Sequence, residues 1–140
     1  MLQIACIPNS PMKILLDDVS YFIHEFSIET RTISKSYTFD WLSIPRPFQW
    51  LVNMNLTQNI KAGLIHDYEF SRLSDVSFME ANKRLRENLD CSFAARWIVW
   101  WWVVLFGTFS YKKDSNYNKH KEEIIKAREI LWLESLTIKL

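Results

Sequence analysis

Two short stretches set ionisable side chains directly beside apolar ones, where an unpaired charge is costly. The first is Phe39-Asp40-Trp41-Leu42-Ser43-Ile44-Pro45-Arg46. The second is Ala62-Gly63-Leu64-Ile65-His66-Asp67-Tyr68. Two such stretches within thirty residues point to a built polar site with Asp40, Ser43, Arg46, His66 and Asp67 as its members. An imidazole beside a carboxylate is the equipment of general base catalysis. Asp40, His66 and Asp67, with the amide of Asn82, also form a set of oxygen and nitrogen donors suited to a divalent cation. A purely structural account needs the same residues. Arg46 would pair with Asp67 or Asp40, His66 would donate to a loop carbonyl, and Ser43 would hold the Ile44-Pro45 bend.

Helix geometry limits what the second stretch can do. Residues 59–70 have Ile60, Gly63, Leu64 and Tyr68 at helical spacing. Neighbours on a helix point about 100° apart, so His66 and Asp67 cannot hold one ion from the same side. One faces the site while the other pins the preceding loop.

The elements that must position these groups follow from pattern. Residues 19–28 and 29–39 are rich in β-branched and aromatic residues and are predicted to pair as antiparallel strands. Ile14-Leu15-Leu16 is expected as a third, edge strand. Pro45 and Pro47 then break regular structure. Ser77 with Glu80 three residues on makes a capping box, and Phe78, Ala81, Leu85 and Leu89 form the buried stripe of the helix that follows. Ser92 caps a further helix ending near Gly107. Residues 112–118 read as a polar loop. Residues 119–133 read as an amphipathic helix with Ile124, Ala127, Ile130 and Leu131 inward. Strands first and helices after imply an α+β fold, a small antiparallel β-unit packed on about four helices.

Bulk properties fit one domain spanning 1–140, with no repeat, linker or low-complexity tract. Seventeen Lys and Arg against sixteen Asp and Glu give a net charge of +1, without the basic excess of a nucleic-acid binder. Cys6 and Cys91 share no metal-ligand spacing and read as free thiols. The opening residues lack the basic region of a signal peptide.

Seven Trp, nine Phe and five Tyr are an unusual aromatic load. After Arg96, ten consecutive apolar residues run from Trp97 to Phe106, well short of the roughly twenty of a membrane-spanning helix. The segment reads as a core helix surrounded by neighbours. The alternatives are an interfacial helix, which usually keeps a basic face, and an aromatic docking face.

The motifs resemble those of a small uncharacterised domain family found in tailed bacteriophages and prophages. That family carries an F-x-x-D-x-x-S-[IV]-P-R type motif, matched here by Phe39, Asp40, Ser43, Ile44, Pro45 and Arg46 with Phe39 and Asp40 adjacent. It then carries an A-x-x-H-D-x-x-Y type motif, matched by His66 and Asp67, with Ala62 one residue further from the histidine and Phe70 where the tyrosine falls. An Ala-Asp pair follows, which becomes Ala81-Asn82 here and loses a carboxylate. The resemblance runs from about Ser36 to Gly107. It implies a domain of unknown function, made in a host bacterium's cytoplasm and a candidate for the virion or tail. A protein partner, from the phage or the host, is the expected ligand, with homo-oligomerisation open and membrane contact a lesser alternative.

The rival expectation is a small metal-dependent hydrolase of lipid or cell wall. Secreted phospholipase A2 enzymes also present a His-Asp pair on one helix, the histidine as base and the aspartate as calcium ligand. Mapped here, Asp40 would orient His66. This chain lacks their flanking cysteines, with Ile65 and Tyr68 near those positions. It also lacks their glycine-rich loop, having only Gly63 and Gly107. A Ser43-His66-Asp40 triad is disfavoured further, because Leu42 and Ile44 leave no glycine-flanked turn at the serine. His24 and His120 have no partner at ligand spacing.

Overall fold

A computed structural model of the chain describes residues 2–8, 12–22, 29–40, 50–53, 55–109, 111–113 and 121–137, with side chains of the last helix described to Trp132. The architecture is α+β. Among the described residues five strands come first: β1 (Ile4–Cys6), β2 (Lys13–Leu15), β3 (Val19–Phe22), β4 (Thr30–Ile33) and β5 (Thr38–Phe39). Helices α1 (Thr57–Phe70), α2 (Phe78–Asn88), α3 (Phe93–Gly107) and α4 (Lys121–Thr137) follow. The chain divides into two compact units, one of residues 1–39 with 116–140 and one of residues 40–115.

In the first unit the strands form two antiparallel sheets, ordered β1-β2-β5 and β3-β4. The β3–β4 pair sets Val19 opposite Ile33 and Phe22 opposite Thr30. Along β3, Val19 and Tyr21 are buried while Ser20 and Phe22 face out, the alternation of a sheet with one wet face. The expected third strand is not an edge of this pair. Instead β2 lies in the middle of its own sheet, with Ile4 opposite Leu15 on one side and Lys13 opposite Phe39 on the other. Successive strand residues point to opposite faces. Ile14 and Leu15 are both buried, so β2 must be covered on both faces, which suits a middle position. Ser36, at φ 69°, turns the chain so that β5 can return, its amide donating to the Leu15 carbonyl at 2.7 Å.

Helix α4 belongs with these strands. Its Ile124 is fully buried against Ile7, Met12 and Ile14, with Ala127 and Leu131 packed alongside. Ile130, expected inward, is exposed instead. Residues 124, 127 and 131 keep the three-and-four spacing of one face, and residue 130 falls off it. Arg128 Nε donates to the Ser36 carbonyl at 3.1 Å.

In the second unit α1, α2 and α3 pack in sequence around Val52, Ala62, Leu85, Leu89 and Val99. The two predicted caps are present: Ser77 Oγ accepts from the Glu80 amide and Ser92 Oγ from the Ala95 amide, each at 3.3 Å. Asn59, fully buried, stitches three segments together. Its Nδ2 donates to the carbonyls of Asn53 (2.9 Å) and Asp90 (3.2 Å), and its Oδ1 accepts from the Asp90 amide at 2.7 Å.

The aromatic helix α3 departs from its expected central position. Within it only Ala95 and Val99 are fully buried, with Val103 packed on the same core. Trp101 and Leu105 are 54% and 59% exposed, and Phe93 and Phe106 are exposed as well. Overall apolarity suggested burial on every side, but α3 stands last in its row of helices and has one inward stripe, turned to α2. Arg86 on α2 stacks its guanidinium over the Trp97 ring, 4.3 Å from the ring centre, a cation–π contact that shields one flank. Among the described residues no helix is long and apolar enough to cross a membrane.

Candidate functional site

The site lies in the second unit, where Asp40 and helix α2 meet α1. Asp40 follows β5 directly, His66 and Asp67 occupy the last turns of α1, and Asn82 sits in the first half of α2. The angle between neighbouring helix positions separates His66 from Asp67, as expected. His66 turns to α2, where its Nε2 lies 2.9 Å from Asn82 Oδ1 with both residues buried. Asp67 turns to the segment ahead of α1, where its Oδ2 accepts the Asp40 backbone N–H at 3.0 Å. The candidate ligand set Asp40, His66, Asp67 and Asn82 thus resolves into two contacting pairs. Among the described residues no three His, Cys, Asp or Glu side chains converge as a metal-holding group. Ser43 and Arg46 lie outside the described residues, as do His24 and His120.

Burial sets the protonation of both pairs. The His66 side chain is held down to about 4 from an ordinary 6.5, chiefly because burial disfavours the imidazolium. The Asn82 contact and the Asp40 charge pull the other way and lose. At neutral pH the ring is therefore uncharged, and Nε2–H donates to Asn82 Oδ1. In that orientation Asn82 Nδ2 is buried without a partner among the described residues. The Asp67 carboxyl is pushed well above the usual carboxylate range, first by desolvation and then by the charge of Asp40. A hydrogen bond between the two carboxyl side chains acts in the same direction, and it needs a proton between them.

An Asp67→Asn substitution follows from this. The amide keeps an oxygen for the Asp40 N–H and offers an N–H to the Asp40 carboxyl, with no charge to desolvate. Asp67→Asn should raise stability at pH 8 by the order of 1 kcal/mol, read by urea unfolding. The gain should shrink as the pH falls and the native carboxyl takes up its proton. A variant less stable than the native chain at pH 8 would show that the ionised carboxylate is the favoured form.

A second layer holds the pairs in place. The Phe70 ring lies against the His66 imidazole, centres 4.1 Å apart, and meets Phe78 and Tyr111 at 5.5 and 5.3 Å. Gly107 permits this packing, since a Cβ there would stand 3.1 Å from Phe70 Cε1. Glu69, fully buried, takes a 2.5 Å ion pair from Arg84 Nη1, and Arg84 Nε reaches Glu80 at 3.3 Å. Lys112 closes the end of α1. Its Nζ donates to the carbonyls of Glu69 (3.2 Å), Ser71 (2.8 Å) and Ser74, supplying partners that a helix C-terminus lacks.

Asn59, Glu69, Arg84 and Lys112 are not among the residues that the sequence motifs single out. Two of them do leave a trace in the sequence. Glu69 shares a helix face with Ala62 and Ile65, and Arg84 sits beside Ala81 and Leu85, so each charge falls on an apolar face.

A family model described as a protein of unknown function, DUF1353, matches residues 14–103, about two thirds of the chain. The chain belongs to the DUF1353 family. The DUF1353 match begins in β2, well before the motifs, and ends within α3. It takes in Asp40, His66, Asp67 and Asn82 and leaves α4 outside. No curated protein and no solved structure matches the chain.

Proposed function

We propose that this DUF1353 protein is a non-catalytic accessory protein of a tailed phage, carried in or assembled onto the particle, that acts by protein–protein association through α3. The observation behind this is a contrast in exposure. His66 is only 7% exposed and its ring is packed under Phe70, whereas a catalytic base must reach solvent and substrate. Among the described residues the outer face of α3 is an open apolar surface, and contiguous exposed apolar patches mark interaction sites. The phage setting is supported by the resemblance of the Asp40–Arg46 and Ala62–Asp67 motifs to those of a domain family of tailed phages.

The hydrolase reading keeps one observation in its favour. A neutral imidazole near a carboxyl pair that shares a proton is the kind of divergence found among catalytic acids and bases. One experiment separates the two readings. Purified particles of a phage encoding the chain are analysed by quantitative mass spectrometry for the native protein, Trp101→Glu and His66→Gln. The accessory role expects the native chain and His66→Gln in the particle, with Trp101→Glu depleted at least tenfold. It also expects no turnover of phospholipid or peptidoglycan by the purified protein with calcium, manganese or zinc. Turnover abolished by His66→Gln, or absence of the chain from particles, overturns it.

A further inference from the structure

The outward residues of α3 follow a pattern. Ala94, Ile98, Trp101, Leu105 and Thr108 are all exposed, and they succeed one another at intervals of four, three, four and three residues. That alternation keeps a stripe facing a neighbouring helix along its whole length. The stripe carries no charge, and α3 has none after Arg96. It runs for about 21 Å at 1.5 Å per residue.

The stripe is also close to symmetric end to end. About Trp101, Ile98 on one side is matched by Leu105 on the other, and small Ala94 by small Thr108. An axis beside Trp101 would stack Trp101 on its own copy and set Ile98 against Leu105 and Ala94 against Thr108. Self-complementarity of this kind is what a two-fold interface demands, and an unlike partner has no need of it. The flanks of the stripe add apolar area. Phe93, Trp101, Phe106 and Phe109 are each half exposed or more. With roughly 150–250 Å² in a whole aromatic side chain, these four, on the stripe and its flanks, offer roughly 400–600 Å². Ile98, Leu105 and the flanks of α3 extend this toward the roughly 800 Å² per subunit of a stable interface. A lipid surface fits less well. A helix lying in a membrane interface keeps a basic face toward water, whereas the opposite side of α3 is packed on α2.

We propose that α3 pairs antiparallel with α3 of a second copy of this chain, about a two-fold axis at Trp101. This rests on α3 being the binding face and names what occupies it.

Sedimentation of the full chain across about 1 to 100 µM is the test. The expected result is a dimer that Trp101→Glu and Leu105→Lys each weaken at least tenfold, with circular dichroism unchanged because both positions are exposed. In a Cys6→Ser, Cys91→Ser background, Ile98→Cys mixed with Leu105→Cys should cross-link to each other faster than either does to itself. A monomer at every concentration, a dimer indifferent to both substitutions, or preferred self-linking at 98 overturns the proposal. So does a monomer that floats with phosphatidylcholine–phosphatidylglycerol vesicles in a Trp101-dependent way, which assigns the face to a membrane. The outcome is separable from that of the particle experiment. A monomer still incorporated through Trp101 removes the dimer and leaves the accessory role. A dimer absent from particles does the reverse.

Discussion

Acidification from pH 7 to pH 4 should lower the unfolding free energy by roughly 3 kcal/mol through His66 alone, the worth of the gap between 6.5 and about 4. In the folded protein the ring stays neutral down to about pH 4, while in the unfolded chain it takes a proton near 6.5. Unfolding therefore absorbs a proton within that window. The stability is fully present above 6.5 and drains away as the pH falls through the window. Asp67 works in the opposite sense. Its carboxyl is raised in the fold, so its contribution is full at low pH and is lost as the pH climbs above the ordinary 3.8. The two residues thus partly offset each other, and His66→Gln separates them. Glutamine places an N–H toward Asn82 without taking up a proton. Urea unfolding of His66→Gln should show the steep loss between pH 6.5 and 4 removed, leaving the opposite slope of Asp67. A native imidazole found by NMR to titrate near 6.5 would sink the explanation.

The second large effect is expected at the Glu69–Arg84 pair. Glu69 is wholly buried and receives the Arg84 guanidinium at 2.5 Å. Arg84→Ala leaves a carboxylate in the core without its cation, a change worth about 3–5 kcal/mol. Against a usual total of about 5–15 kcal/mol, that is a large fraction. Removing both charges is a different matter. Glu69→Leu with Arg84→Met replaces the pair by apolar bulk and should recover most of the loss, because a buried ion pair rarely outperforms a well-packed apolar one. Urea midpoints of the single and double variants decide this. Equal losses in both would mean that packing, and not the stranded charge, sets the cost.

Local rules carried the sequence reading a long way. The Ser77 and Ser92 caps depend on a hydroxyl and the amides three residues on, so they are legible without tertiary structure. The separation of His66 from Asp67 follows from helix geometry alone, and Asp67 does hold the backbone at Asp40, ahead of α1. The rest depended on what lies across from what. That Asn82 is the residue met by His66 is set by how α1 packs on α2. The middle position of β2 needed the register of β1, a three-residue strand too short to announce itself. The aromatic run of α3 was misjudged because apolarity was read as an average. A helix at the end of a row buries one stripe, however apolar the remainder. Asn59 and Lys112 left no periodic signal, since each works by supplying hydrogen bonds to distant backbone.

The first unit is assembled from both ends of the chain, with Ile124 of α4 packed on Ile7, Met12 and Ile14. This has a consequence for the order of events at the ribosome. Residues 40–115 hold all the contacts of their own unit once residue 115 has emerged, so α1, α2 and α3 can consolidate during translation. The strands made earlier must wait, with Ile14 and its neighbours unsealed, until α4 is synthesised. Strands made before the helices of the second unit are then finished after them. In that interval its short strands depend on their own hydrogen bonds or on a chaperone to stay out of the wrong pairings.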